Sequence, residues 1–104
     1  MTENDTSQIL RDAAEIVARG WCQGAWAQDK NDESVAPCSD DAVKWCAIGA
    51  LILAVRSQPC PDIAGALTAL GRATRMASAS QWNDNPKRTQ AQVVNAFRRA
   101  ARLA

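Results

Sequence analysis

The sequence predicts a mainly α, compact domain of four to five helices with a short β-hairpin at about 25–36. Three observations predict it. Apolar residues recur at three- and four-residue spacing in several separate stretches. Residues suited to helix caps stand where those stretches begin. One polar insertion, D-K-N-D-E, breaks the pattern between two short runs that read as strands. A chain of 104 residues suits one domain, 1–104, with a single hydrophobic core.

The first helix is expected from about Ser7 to Arg19, with Ile9, Ala13, Ile16 and Val17 on one face. Asp5, Thr6 and Ser7 offer cap oxygens, and Gly20 stands where a helix-ending glycine belongs. Arg11, Asp12, Glu15 and Arg19 fill the outer face, Glu15 and Arg19 at ion-pairing spacing. Trp26-Ala27 and Ser34-Val35-Ala36 then form the hairpin around the polar turn, which Pro37 and Cys38 end.

The second helix starts at Ser39 as N-cap, with Asp40 and Asp41 in its first turn, where negative charge suits the dipole. From Val43 to Val55 it is apolar on nearly every face, the pattern of a central helix wrapped by others. Gly49 within it implies a close backbone neighbour. After the linker S-Q-P-C-P, a third helix is expected from Pro61, capped by Cys60, to about Met76. Its stripe is Ile63, Ala66, Leu67, Leu70 and Ala73, weakened by Gly65 and Gly71. Ser78 to Trp82 adds a helical turn, and W-N-D-N-P is a turn by composition. Thr89 and Gln92 have capping-box spacing and open a last helix with Val93, Phe97, Ala100, Ala101 and Ala104 on its apolar face.

Charge is segregated although the total is only +1. Residues 1–41 carry nine acids and three bases, net −6; residues 42–85 carry two acids and four bases, net +2; residues 86–104 carry five bases and no acid, net +5. Either the ends attract each other in the fold, or each is a solvated face, or the surface is bipolar and steers a charged partner. No apolar run reaches the ~18 residues of a membrane-spanning helix. The start M-T-E-N-D-T-S-Q lacks the basic and apolar regions of a signal peptide, which points to the cytoplasm and reduced thiols.

The chain has no histidine, which removes Ser-His and Cys-His nucleophiles, imidazole bases and mixed Cys/His zinc sites. Cys22, Cys38, Cys46 and Cys60 show no C-x-x-C spacing, so no metal is expected. Cys46 reads as core. Cys38 and Cys60 stand at expected helix starts, but Asp40, Asp41 and Asp62 oppose thiolate formation there. Cys22 is the best remaining reactive thiol. D-K-N-D-E-S from Asp29 lacks the glycine and the terminal Glu of a calcium loop, and no phosphate-binding glycine motif occurs. No catalytic residue and no cofactor are expected. A nucleic-acid surface would rest on Lys87, Arg88, Arg98, Arg99 and Arg102, but no aromatic interleaves with these bases.

Trp21, Trp26, Trp45 and Trp82 carry most of the aromatic area; three are expected in the core, and Trp26, beside the acidic turn, is the candidate for exposure at a partner surface. Asn83 and Asp84 are expected to hold backbone N–H groups of the glycine-rich loop 20–25, which has no ladder of its own.

The strings G-W-C-Q-G-A (20–25), A-V-K-W-C-A-I-G-A-L (42–51) and W-N-D-N-P-K-R-T (82–89), in that order, resemble a family of small uncharacterised bacterial and phage proteins. The family carries W-C-x-G-A, W-C-x-x-G-A-L and W/Y-N-D…T signatures, which here place Trp21, Cys22, Gly24, Trp45, Cys46, Trp82, Asn83 and Asp84 in its structural motifs. The resemblance implies a compact helical fold without assigned activity. The family's turn carries a D-G pair, whereas Asp29–Glu33 has no glycine. Its phage setting suggests an inhibitor of a host defence system, anti-CRISPR-like, acting by stoichiometric binding.

The leading expectation is therefore a non-enzymatic protein-binding module. Trp26, Asp29, Asp32, Glu33, Asp40 and Asp41 are the candidate acidic face, able to imitate phosphates toward a basic groove; Arg98, Arg99 and Arg102 are the basic counterpart. A thiol enzyme or redox sensor centred on Cys22 and a nucleic-acid binder through the last helix remain as alternatives.

Overall fold

The computed structural model describes residues 5–56 and 63–104. Among them are five helices, α1 (Asp5–Arg19), α2 (Ala47–Val55), α3 (Ile63–Thr74), α4 (Ala79–Asn83) and α5 (Gln90–Leu103), and a two-stranded antiparallel sheet of β1 (Ala27–Gln28) and β2 (Lys44–Trp45).

The two most amphipathic helices organise the core. α1 buries Ile9, Leu10, Ala13, Ala14, Ile16 and Val17, and α5 buries Val93, Val94, Ala96, Phe97, Ala100 and Ala101. They form the most extensive helix pair, and α1 also packs on α2 and α3. The pair is pinned at both ends. Ser7 Oγ donates to Ala101 O at 3.0 Å, and Gln90 Nε2 donates at 2.8 Å to Val17 O, a carbonyl near the end of α1 that also accepts from Gly20 N. Ser7 thus works inside the helix, away from the capping role expected of it. Ala104, assigned to the apolar face of α5, is exposed. Arg19 forms no ion pair with Glu15 among the described residues; its guanidinium lies 5.7 Å over the Trp45 ring.

The expected second helix is shorter and begins later. It starts at Ala47, and its cap is Cys46, whose Sγ accepts from Gly49 N at 3.3 Å. Ser39, Asp40 and Asp41 form a turn instead, in which Ser39 Oγ accepts from Asp41 N. Residues 44–45 are extended because two neighbours claim their backbone. β1 pairs with β2 in the register Ala27↔Trp45 and Gln28↔Lys44, and Trp21 forms a parallel bridge with Trp45. β1 (Ala27–Gln28) therefore has its regular ladder with 44–45, a partner the sequence did not suggest, in addition to the expected hairpin partner. Residues 34–36 contribute one bridge, Gln28↔Ser34, and the bond from Val35 N to Ala27 O.

The tight turn between them forms without glycine. Asp32 takes the left-handed conformation, φ 65°, that a glycine would adopt at no steric cost. Asp29 Oδ1 accepts from both Asn31 N and Glu33 N and holds the turn closed.

α2 is also less enclosed than expected. Ala47, Gly49, Ala50, Leu51 and Ala54 are buried, while Ile48, Ile52, Leu53 and Val55 are half-buried, so the centre of the fold is α1. Gly49 does meet a close neighbour: a Cβ there would lie 1.9 Å from Trp26 O. Gly20 is equally tight, 2.1 Å from Val43 O. α3 ends at Thr74, short of Met76, with Arg75 at φ 62° closing it. Its expected start at Cys60-Pro61 lies outside the described residues. Ser78 caps α4, and Thr89 and Gln92 make the full capping box of α5.

Gly49→Ala is expected to destabilise the protein by at least about 2 kcal/mol, because backbone must move to admit the methyl group. The urea unfolding midpoint measures it; a midpoint unchanged from wild type contradicts the close approach.

Candidate functional site

The first constellation is built on Asn83 at the end of α4, which is fully buried. Its Oδ1 accepts from Trp21 Nε1 at 2.8 Å and from Ala47 N at 3.0 Å. Its Nδ2 donates to Cys22 O at 3.1 Å and to Asp84 Oδ1 at 2.9 Å. All four hydrogen-bonding positions of the amide are filled. Asp84 Oδ1 also accepts from Gly24 N at 3.1 Å, with Gly24 at φ 80°. Gln23 Nε2 reaches back to Asn83 O and Asn85 O. The W-N-D segment thus holds the 20–25 loop and the first turn of α2 together. Gln23 and the contact with Ala47 had no signal in the sequence beyond their proximity to the Trp-Cys pairs.

Those pairs run side by side. Cys22 N donates to Trp45 O and Trp45 N to Gly20 O, so Trp21-Cys22 lies parallel to Trp45-Cys46. Trp45 is buried, with its indole N–H on Pro37 O at 2.9 Å; Trp82 is buried and Trp21 half-buried. Cys22 is buried, and its thiol donates to Ala25 O at 3.5 Å. Burial, reinforced by the neighbouring Cys46, pushes the Cys22 thiol up to about 11. Burial raises Cys46 as well, against the backbone N–H bonds its sulfur accepts. Cys22 is therefore a neutral thiol at physiological pH, the opposite of what nucleophilic chemistry requires. Cys38 is half-buried in a turn and begins no helix; Cys60 lies outside the described residues.

The second constellation is the ribbon around β1. Trp26 is 56% exposed, although its backbone is fixed: its carbonyl accepts from Cys46 N at 3.1 Å and packs on Gly49. The acidic turn follows β1 directly. Asp29, Asp40 and Asp41 line one cleft of about 380 Å³ with Lys30, Asn31 and the exposed Val43. Glu33 is exposed beside it in sequence, while Asp32 is engaged in an ion pair with Lys44. The structure thus joins Asp29 to Asp40 and Asp41 and commits Asp32 elsewhere. Among the described residues no group of three or more Asp, Glu or Cys is arranged to hold a metal ion.

The basic residues are split between two faces. Arg98 and Arg102 line a groove of about 480 Å³ between α1 and α5, facing Asp12 and Glu15. Here the acidic and basic segments of the chain meet. Arg99, about 100° further round the helix, points to α3 and donates to Ala73 O at 3.0 Å. Arg88 stacks 4.2 Å over the Trp82 ring and donates through Nε to Trp82 O at 2.9 Å. Its part in bracing Trp82 was not legible in the sequence.

Fold and surface together define a small helical domain tied by a buried polar knot, with a fixed, exposed tryptophan on an acidic ribbon. The chain belongs to the family of unknown function DUF6197, whose model matches residues 1–103. No curated protein and no solved structure matches it. No helix among the described residues is long and apolar enough to cross a membrane.

Asn83→Leu is expected to cost about 4 kcal/mol, since it strands the Trp21 and Ala47 N–H groups and the Cys22 carbonyl away from water. Denaturant unfolding measures the loss; a change below about 1 kcal/mol contradicts the knot. The Cys22 thiol sets a second expectation. The unfolded chain loses this proton near pH 9 and the folded chain near 11, so the stability it contributes is complete below pH 9 and falls as pH rises toward 11. Unfolding midpoints measured across that interval should show the decline, and Cys22→Ala should flatten it. An identical slope in the variant removes the assignment.

Proposed function

We propose that this protein is a non-enzymatic binding module that engages a protein partner through the ribbon carrying Trp26. One observation carries the reading: a tryptophan 56% exposed on a backbone locked by Cys46 and Gly49. A large apolar side chain left in water is costly, and one held in a fixed place loses little further freedom on binding. Such residues are the usual anchors of interfaces. Further along the ribbon the exposed Val43 lines a cleft with Asp29, Asp40 and Asp41, which gives this end of the molecule a negative charge. The matching partner surface is an apolar pocket within a basic groove.

The resemblance to bacterial and phage proteins supports a narrower form of the same reading. The module acts in the cytoplasm as a stoichiometric inhibitor of a host defence system, occluding a groove built for a phosphate backbone.

The test is a pull-down from the source cell read by native mass spectrometry, comparing wild type with Trp26→Ala and with Asp40→Lys/Asp41→Lys. A partner is expected at one-to-one stoichiometry. Trp26→Ala should weaken it about thirty-fold without changing the protein's own melting temperature. The charge reversal should slow association and remove its salt dependence. A partner retained equally by all three proteins, or no partner at all, overturns the proposal.

A further inference from the structure

A cleft of about 270 Å³ lies where the end of α3, α4 and the outer face of α5 meet. Arg88 and Arg99 line it together with Gln92, Asn95, Thr74 and Trp82, and no acidic residue does. Two like charges sharing a cleft repel, yet neither guanidinium forms an ion pair among the described residues.

Both are held in place by neutral acceptors. Arg99 Nη1 donates to Ala73 O at 3.0 Å. Arg88 Nε donates to Trp82 O, its Nη1 makes a longer contact with Gln92 Oε1 at 3.4 Å, and its plane lies over the Trp82 ring. Among the described residues Arg88 Nη2 and Arg99 Nε and Nη2 meet no acceptor. The Asn95 amide is also uncommitted there, whereas the Thr74 hydroxyl is used by Leu70 O.

We infer that this cleft is a binding site for a single phosphate group, free or as a small phosphomonoester, gripped between Arg88 and Arg99. Guanidinium forks match phosphate oxygens through paired N–H bonds, and one dianion relieves the repulsion between the two cations. The anchoring of both side chains by carbonyls lowers the ordering cost of capture. A tetrahedral anion can use donors on two walls, whereas a carboxylate has only two oxygens in one plane. The cleft admits a phosphate group with room for a small ester substituent. A nucleic-acid track would need a continuous row of bases, and Arg98 and Arg102 lie on the other side of α5.

The test follows the arginine Nε–H resonances of the ¹⁵N-labelled protein by NMR at fixed ionic strength. Inorganic phosphate, phenyl phosphate, acetate and a short DNA duplex are titrated separately. Saturable shifts of the Arg88 and Arg99 signals are expected with phosphate or phenyl phosphate, and the tighter of the two shows whether the free anion or an ester is preferred. Acetate should bind at least about ten-fold more weakly. Arg99→Gln, which leaves the Trp82 brace intact, should weaken phosphate about ten-fold or more, and Arg102→Gln less than about two-fold. Non-saturating shifts, equal losses in the two variants, or duplex DNA binding that depends equally on Arg98, Arg99 and Arg102 each overturn the assignment.

Discussion

The amide of Asn83 is the constraint on which the rest of the structure depends. It lies fully buried and fills two acceptor and two donor positions. Three separate stretches of chain meet in those four bonds: the loop after α1, the start of α2 and the end of α4. Only a carboxamide offers two donors and two acceptors in one plane, and glutamine would carry it one methylene too far. An aspartate would lose the donors beside Asp84, and a leucine would satisfy nothing. The knot replaces an extended sheet in organising this side of the molecule, where the regular ladder is only two residues long in each strand.

Around the knot, the two Trp-Cys pairs act as a matched unit. Each tryptophan supplies bulk and one indole donor, to Asn83 in one case and to Pro37 in the other. Each cysteine is a small buried residue, and Cys46 also caps a helix with its sulfur. The glycines belong to the same unit. Gly20 and Gly49 permit contact with the carbonyls of Val43 and Trp26, so neighbouring segments approach to backbone distance. In the repeated W-C…G-A pattern Gly49 is thus accounted for by close packing, and Gly24 by its left-handed backbone, φ 80°. What distinguishes the surface is the exposed Trp26 that this packing positions.

The amphipathic helices α1 and α5, the capping box, the exposure of Trp26 and the bond between Asp84 and Gly24 were legible in the sequence. Each rests on local spacing or on a residue with one outstanding property. The start of α2 was not. Ser39-Asp40-Asp41 has the chemistry of a helix cap, and the apolar run from Val43 is equally compatible with strand and helix. Pairing of Lys44 and Trp45 with β1 and with Trp21 decided the outcome, and those partners lie far away in sequence. A cysteine sulfur is a weak acceptor and gives little warning that it caps a helix. The hairpin turn formed where the sequence placed it, but the second pairing of Ala27 and Gln28, with the distant Lys44 and Trp45, gave no local signal. The sequence grouped Arg98, Arg99 and Arg102 as one basic helix end, but neighbouring positions on a helix point in different directions, and the fold divides them.

The close union of α1 with α5 has a consequence for the order in which the chain can fold. The largest helix pair joins segments whose anchoring bond, Ser7 to Ala101, spans nearly the whole sequence. Until α5 has been made, α1 lacks its most extensive partner, and α2 and α3 cover only part of its apolar surface. Loop-closure entropy is spent before this contact gives any return. The core therefore closes late in folding: α1 keeps part of its apolar surface uncovered until α5 has formed and docked against it.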